Sequence, residues 1–295
     1  MSQDKLSNAL KVGSMLLEFK ILDVLGQGGF GITYKVLDTT TNNTMVIKEY
    51  MPSQFATRDS NQTTVSYIHQ EKDLFEWGLK RFIEEAKLLK QFSHINIVKG
   101  YKFFKTNKTA YFVMDFYKGK TLATYLSQNR GKKFDRDEIL YIMMPILEGL
   151  KEVHQKGFLH RDIAPDNIYL RDNDSSILID FGASRNALAV KSQTISAIVK
   201  AGYSPPEQYT SSSRQNETTD LYAISAVIYE MITGNKPSES SHRQTEVFGG
   251  NNDPIEDIVS NYSDIFSISF LETVVKGLNL RQQDRIQSIE EVQDR

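Results

Sequence analysis

The 295-residue sequence has no cysteine, almost no net charge and no long apolar run. The first absence removes disulfides, thiol nucleophiles and Cys-ligated zinc or iron–sulfur sites. It leaves the redox compartment open, because a Cys-free chain suits reducing and oxidising settings alike. With 35 Lys and Arg against 37 Asp and Glu the net charge is −2, which argues against a dedicated nucleic-acid binder and its strongly basic surface. The longest strongly apolar stretch, residues 223–232, is well short of the ~20 residues that cross a bilayer. Residues 1–10 mix polar and charged side chains and lack the apolar core of a signal peptide. The chain is expected to be soluble, whole or as the cytosolic part of something longer, since it ends in a charged, helix-like run at 288–295.

What is present is the composition of a globular chain: 40% hydrophobic residues, over a length that suits one large domain or two small ones. Residues up to about 115 read mainly as strands. Runs at 19–25 and 32–37 are short and β-prone around a glycine cluster, 45–47 opens another strand, and 111–114 fits a buried one. Residues 77–92 have helical spacing, with Leu79, Phe82, Ile83, Ala86, Leu88 and Leu89 on one face. After Lys118-Gly119-Lys120 the period changes. Ile139, Ile142, Met143, Ile146, Leu147, Leu150 and Val153 mark a helix that Pro145 is expected to kink. Residues 220–232 are apolar nearly all round and predict a helix deep in a core, whereas 235–253 read as polar loop. There is no internal repeat. A strand-rich front and a helix-rich back imply an α+β chain in two lobes.

Gly26-Gln27-Gly28-Gly29-Phe30-Gly31 matches G-x-G-x-x-G. A dinucleotide-binding loop of that pattern opens a helix, but Ile32-Thr33-Tyr34-Lys35-Val36 is β-branched and strand-like. The glycines then lie in a strand–turn–strand, where backbone amides can approach phosphates because no Cβ intervenes. A plain flexible hairpin is the alternative. Lys48 follows Met45-Val46-Ile47 and is either a solvated strand edge or half of an ion pair. Glu85, beside Ala86 on the apolar side of the 77–92 helix, is the partner favoured, because an acid near an apolar face needs one. Glu84 competes.

His160-Arg161-Asp162-Ile163-Ala164-Pro165-Asp166-Asn167 is the most informative stretch, followed by Asp180-Phe181-Gly182 after the apolar strand Ile177-Leu178-Ile179. Alone, Asp162 or Asp180 is most often a turn residue or a cap. Glycine loop, strand lysine, helix glutamate, H-R-D-x-x-x-x-N and D-F-G in this order resemble a protein kinase of the serine/threonine class. Tyr203-Ser204-Pro205-Pro206-Glu207-Gln208-Tyr209 stands where kinases have A-P-E. With Lys48-Glu49-Tyr50-Met51-Pro52 it looks like a bacterial, P-P-E-Q-Y branch of that family.

The resemblance covers residue 18 to the C-terminus and implies a bilobal kinase fold. After a lead at 1–17, a small, mostly antiparallel β lobe with one key helix spans about 18–114, a hinge 115–119, and a larger helical lobe 120–295. ATP and Mg²⁺, or Mn²⁺ in its place, are the implied cofactors. Asp180 and Asn167 offer hard oxygen ligands to the metal, and Asp162 orients the acceptor hydroxyl and takes its proton. Lys48, held by Glu85, binds phosphate. Besides the glycine loop, the ATP site takes in Thr33, Val46, Met114 at the back of the adenine pocket, backbone groups of Asp115 and Tyr117, and Tyr169. Leu89, His160 and Phe181 resemble the apolar column that links the lobes. Asp220 anchors the catalytic-loop backbone, caps its helix, or both. Glu207 and Arg285 resemble the ion pair that braces the activation segment.

Departures from the pattern matter too. Ala164 replaces a usual lysine, so one γ-phosphate contact is missing and transfer is expected to be slower or to use another cation. Val46 for alanine and Tyr169 for leucine predict a tighter adenine pocket; Thr33 replaces a valine and Ile95 a proline. Arg161 is expected to pair with a phosphate on the activation segment, where Thr194, Ser192 and Ser196, with Ser184, are candidates for autophosphorylation. Ordinary loop serines are the alternative. Residues 49–80 form a long connection in which 63–68 could add a hairpin, as a family elaboration or a docking element.

The activity implied is transfer of the γ-phosphoryl group of ATP to Ser/Thr hydroxyls of proteins, the kinase itself included, without nucleic acid or membrane segment. The implied location is the bacterial cytosol, the cytosolic part of a longer protein or, after delivery, a host cell. A pseudokinase scaffold and a small-molecule kinase are the other readings. Lys48, Glu85, Asp162, Asn167 and Asp180 weigh against the first, and the 203–209 segment with Asp220 against the second. Serine/threonine preference over tyrosine is favoured by Pro165 and the 199–209 segment and weakened by Ala164.

Overall fold

A computed structural model describes residues 8–132, 134–172, 175–181, 199–210 and 213–294. Their contacts divide them into two compact units, one of residues 8–93 and 98–117, the other of 94–97, 118–181 and 199–294.

The first unit is a six-stranded antiparallel sheet of β1 (Met15–Leu16), β2 (Phe19–Gln27), β3 (Gly31–Asp38), β4 (Asn43–Tyr50), β7 (Gly100–Thr106) and β8 (Thr109–Asp115), in the order β1-β2-β3-β4-β8-β7. Alternation sets its faces: Ile32, Tyr34 and Val36 are fully buried between half-exposed neighbours. Residues 51–71 carry a separate hairpin of β5 (Ala56–Arg58) and β6 (Val65–Tyr67), so the connection after Lys48 does add a hairpin, but residues 63–68 supply only its second strand.

Helix α1 (Lys72–Leu89) starts five residues before the expected 77, because Phe75 extends the buried face of Gly78, Phe82, Ile83, Glu85, Ala86 and Leu89, and it ends three residues before the expected 92. Leu79 and Leu88 lie at the margin of that face and are only half-buried. Tyr50 packs against Phe75 and Phe82 and donates its hydroxyl to the Phe75 carbonyl, fixing α1 to the sheet.

The second unit is mainly helical: α2 (Leu122–Gln128), α3 (Arg136–Gln155), α4 (Glu217–Thr233), α5 (Ser240–Phe248), α6 (Asp257–Tyr262), α7 (Ile268–Gly277) and α8 (Ile289–Gln293). A small antiparallel sheet joins β9 (Gly119–Thr121), β10 (Ile168–Arg171) and β11 (Ser176–Leu178) in the order β11-β10-β9. Asp135 and Glu138 form a reciprocal capping box at the start of α3, and Pro145 lies inside that helix without ending it. Helix α4 is buried almost throughout and stops at Gly234, whose φ of 74° supplies the left-handed cap. It meets α7 closely: a Cβ on Gly277 would lie 1.9 Å from Ser225 Oγ.

Residues 94–97 belong to the second unit by their bonds. Asn96 Nδ2 donates to Ser175 Oγ and Ser176 O, both at 2.9 Å, and Leu178 N donates back to Asn96 O at 2.9 Å.

One expectation fails outright. Residues 240–248, read as loop, form α5. The helix lacks an apolar stripe to betray it. Its anchor is Arg243, fully buried, with a bidentate contact to Asp253 at 2.8 and 2.7 Å and further bonds to Tyr222 Oη and Leu278 O, each at 2.8 Å.

Candidate active site

In the first unit the glycine turn is closed by Gly28 N donating to Gly31 O at 2.9 Å. The loop is tethered from behind, with Phe30 O accepting from Met51 N and Gly29 O from Ser53 N, both at 3.0 Å. The glycines divide by cause. A Cβ on Gly26 or Gly29 would meet nothing within 4 Å, whereas one on Gly31 would sit 2.4 Å from Glu49 O. Gly31 is therefore demanded by its neighbour strand, and the open positions leave backbone accessible to a ligand. Gln27 ends β2, and Thr33 pairs with both Gly26 and Lys48 across the sheet.

Strand β4 is interior, between β3 and β8, so Lys48 is not on a solvated edge. Its Nζ lies 3.9 Å from Glu85 Oε1, with Glu85 only 4% exposed. Glu84 is turned outward and bonds Arg81 at 2.9 Å. Helical phase thus selects Glu85, as its place beside Ala86 predicts. Val46 pairs with Met114 across β4 and β8. Asp115 N donates to Lys99 O at 3.1 Å, and its carboxylate accepts from Tyr101 Oη at 2.8 Å and Tyr117 Oη at 3.2 Å. Leu89 is buried at the end of α1.

In the second unit Asp162, 7% exposed, is held by Asn167, whose Nδ2 donates to Asp162 O at 2.6 Å and Oδ2 at 2.7 Å. Asp220 accepts from His160 N at 2.9 Å and Arg161 N at 2.7 Å, and pairs with His154 Nε2 at 2.9 Å. It does not cap α4. That cap is Asn216, whose side chain accepts from Thr218 N, which leaves Asp220 in the first turn free to reach the loop. Burial pushes the Asp220 carboxyl up, but the His154 hydrogen bond and the facing backbone donors outweigh it and hold it below the usual range.

His160 is buried and pushed down from its ordinary pKa by desolvation, so it stays neutral. Its Nδ1 accepts from Asp162 N at 3.3 Å, and its ring lies 4.5 Å from that of Phe181. Arg161 and Asp180 both have φ of 64°, the left-handed region, in residues other than glycine. Tyr169 pairs with Thr121 and Ile177 in the small sheet.

Glu207 and Arg285 form a buried bidentate pair at 2.6 and 2.9 Å, with Thr219 Oγ1 adding a bond to Glu207 at 2.9 Å. Burial raises the Glu207 carboxyl, yet Arg285 outweighs it and keeps it ionised. Ser184, Ser192, Thr194 and Ser196 lie outside the described residues; Arg161, their expected partner, is exposed.

Asn167 and Asp180 suit a hard cation. The amide of Asn167 spends its nitrogen on Asp162, which leaves the oxygen as its donor to a metal. Among the described residues no three His, Cys, Asp or Glu side chains cluster as a metal site. Sequence reasoning missed Lys200, whose Nζ lies 3.4 Å from Asp162 Oδ1; the only signal was a lone cation in a segment of otherwise uncharged residues.

The chain belongs to the protein kinase domain family, whose model matches residues 19–294. Among its relatives are serine/threonine-protein kinase D of Synechocystis, 34% identical over 78% of this chain and 44% of that protein, and serine/threonine-protein kinase PknA of Nostoc, 32% identical over 75% and 38%. The chain spans less than half the length of these curated relatives. A solved structure described as the apo form of PpkA-294 superposes with a TM-score of 0.88 at 34% identity, covering 98% of this chain and 99% of that one. The M. tuberculosis PknI kinase domain, 18% identical with a TM-score of 0.68, shares the fold. Fold and family together make this a serine/threonine protein kinase homologue, with an antiparallel β unit carrying one long helix and a mainly helical unit. No helix among the described residues is long and apolar enough to cross a membrane.

Proposed function

We propose that the chain transfers the γ-phosphoryl group of ATP, with Mg²⁺, to serine or threonine hydroxyls of proteins. The observation that carries this is Asp162: a buried carboxylate clamped by Asn167, on a loop whose backbone Asp220 holds at two points. Phosphoryl transfer asks the protein for alignment and charge neutralisation more than for covalent chemistry. Lys48, kept in place by Glu85, binds phosphate oxygens, and the open glycine positions present amides to them. Asp162 orients the acceptor hydroxyl and receives its proton. Asn167 and Asp180 hold the metal, which when bound neutralises charge on the phosphates.

The finer readings rest on the same pattern. Pro205-Pro206-Glu207-Gln208-Tyr209 and Lys48-Glu49-Tyr50-Met51-Pro52 support assignment to a bacterial P-P-E-Q-Y branch. Autophosphorylation falls within residues 184–196, with Arg161 as the receiving cation. The test is incubation with Mg²⁺ and [γ-³²P]ATP beside a generic protein substrate. Label on the substrate or the chain in wild type, absent in Asp162→Asn, supports the reading. ATP binding without label in wild type contradicts it in favour of a scaffold.

A further inference from the structure

Two residues after Asp162 stands Ala164, fully buried and without a charge to offer. A phosphoryl group handled by Asp162 still brings a concentrated negative charge to that spot. The cation that the structure places there is Lys200, 3.4 Å from Asp162 Oδ1. The two carboxylate oxygens have separate partners, because Asn167 Nδ2 takes Oδ2 at 2.7 Å.

Lys200 is not a loose surface lysine, since its side chain is only 17% exposed. Its turn is braced at every step. Lys200 O accepts from Tyr203 N at 2.9 Å and Ser204 N at 3.0 Å, and Lys200 N donates to Ser204 Oγ at 3.0 Å. Tyr203 Oη bonds Glu230 on α4 at 2.5 Å, and Ser204 O accepts from Ser240 Oγ at the start of α5 at 2.9 Å. Gly202, at φ of 92°, passes so near Pro237 that a Cβ would lie 2.7 Å from its carbonyl oxygen. Gln208 Nε2 donates to Arg161 O at 2.8 Å, fastening the segment to the loop that carries Asp162. Fixing a long lysine costs side-chain entropy, and an isolated exposed ion pair seldom repays it.

We propose that Lys200 is a catalytic residue that supplies, from the 199–209 segment, the cation that position 164 lacks. The inference rests on the kinase reading above. In the reaction the acceptor oxygen bonds to the γ-phosphorus as the bond from that phosphorus to the β–γ bridging oxygen breaks. The electron pair leaves with ADP, and the acceptor proton passes to Asp162. Lys200 exchanges no proton. Its ammonium has three donors, enough to hold Asp162 Oδ1 and reach a γ-phosphoryl oxygen together, and at 3.4 Å it is not locked to the carboxylate in the short bond of a closed ion pair.

The test compares wild type, Lys200→Ala, Lys200→Arg and the double variant Lys200→Ala with Ala164→Lys, reading kcat, KM for Mg·ATP and thermal melting. Lys200→Ala is expected to lose about 10²–10³-fold in kcat, the scale for one charge-stabilising donor, with KM and melting little changed. Lys200→Arg retains part of the rate, and Ala164→Lys restores at least tenfold to Lys200→Ala. Lys200→Ala as fast as wild type, or faster, overturns the proposal, the latter by making the ion pair a latch on Asp162. Loss of melting temperature and rate together, unrescued by Ala164→Lys, overturns it by making the lysine structural. Wild type that binds ATP and transfers nothing overturns the kinase reading itself, an outcome visible before any Lys200 variant is made.

Discussion

Arg58 Nη2 lies 2.5 Å from Glu49 Oε2, and neither side chain is more than 2% exposed. Tyr34 Oη and Tyr111 Oη each donate to Glu49 at 2.7 Å, while Arg58 also bonds Asn8 O at 2.7 Å and Thr63 O at 2.6 Å. The β5–β6 hairpin is thus fastened into the main sheet at the residue next to Lys48. Side chains alternate along β4, so Glu49 secures the strand from one face while Lys48 meets Glu85 on the other.

Removing the cation strands a buried carboxylate. Arg58→Ala is expected to cost about 3–5 kcal/mol in urea unfolding, whereas Arg58→Met combined with Glu49→Gln, which removes both charges, costs clearly less. Equal losses in the two would show that packing of the hairpin matters and the charges do not.

Asp220 meets two backbone N–H groups with two carboxylate oxygens. Asp220→Asn offers one acceptor oxygen and leaves a buried donor short, a loss of about 1–3 kcal/mol. Denaturant unfolding should register it, with a fall in phosphoryl transfer larger than the fall in ATP affinity, because the loop carrying Asp162 loses an anchor. Unchanged transfer would detach Asp220 from the loop's function.

Acid should weaken the second unit through His160. Its native pKa is held below the ordinary 6.5 by burial, so the unfolded chain binds the proton more readily. The stability this contributes is complete above about 6.5 and is lost as pH falls toward and through the native value. Asp220, also lowered, acts with the same sign but below its ordinary 3.8. Melting temperature should therefore drop between pH 7 and pH 5, and His160→Gln, which keeps an acceptor for Asp162 N, should flatten that drop. An equally steep drop in the variant would assign it to other groups.

Lys48→Met removes the cation proposed to bind phosphate and is expected to cut transfer by about 10²–10³-fold. Glu85→Gln leaves the cation in place without its anion and should cut it less. Steady-state rates of both variants decide the order, and a reversed order would make Glu85 the more direct participant.

What could be read from the sequence follows from range. The 160–167 loop was legible as a family motif because the residue types run over eight consecutive positions, His160 to Asn167. Glu85 was legible because helical phase separates it from Glu84. The strands around the glycine turn were legible because β-branched runs flank it. Long-range polar contacts were not legible: Arg243 turns a polar stretch into α5, Arg58 buries itself against Glu49, and Lys200 reaches Asp162, each across a separation that carries no periodic signal. Asp220 illustrates the middle case. Both a cap and an anchor were open to it, and only the place of Asn216 at the helix start decides between them.

The most direct measurement is transfer of ³²P from Mg·[γ-³²P]ATP, with ATP binding measured on the same samples of wild type, Asp162→Asn and Asp180→Ala. The expected result is labelled protein with wild type and none with either variant, while Asp162→Asn still binds the nucleotide. Wild type that binds ATP without transferring label, or Asp162→Asn that labels as well as wild type, would contradict it.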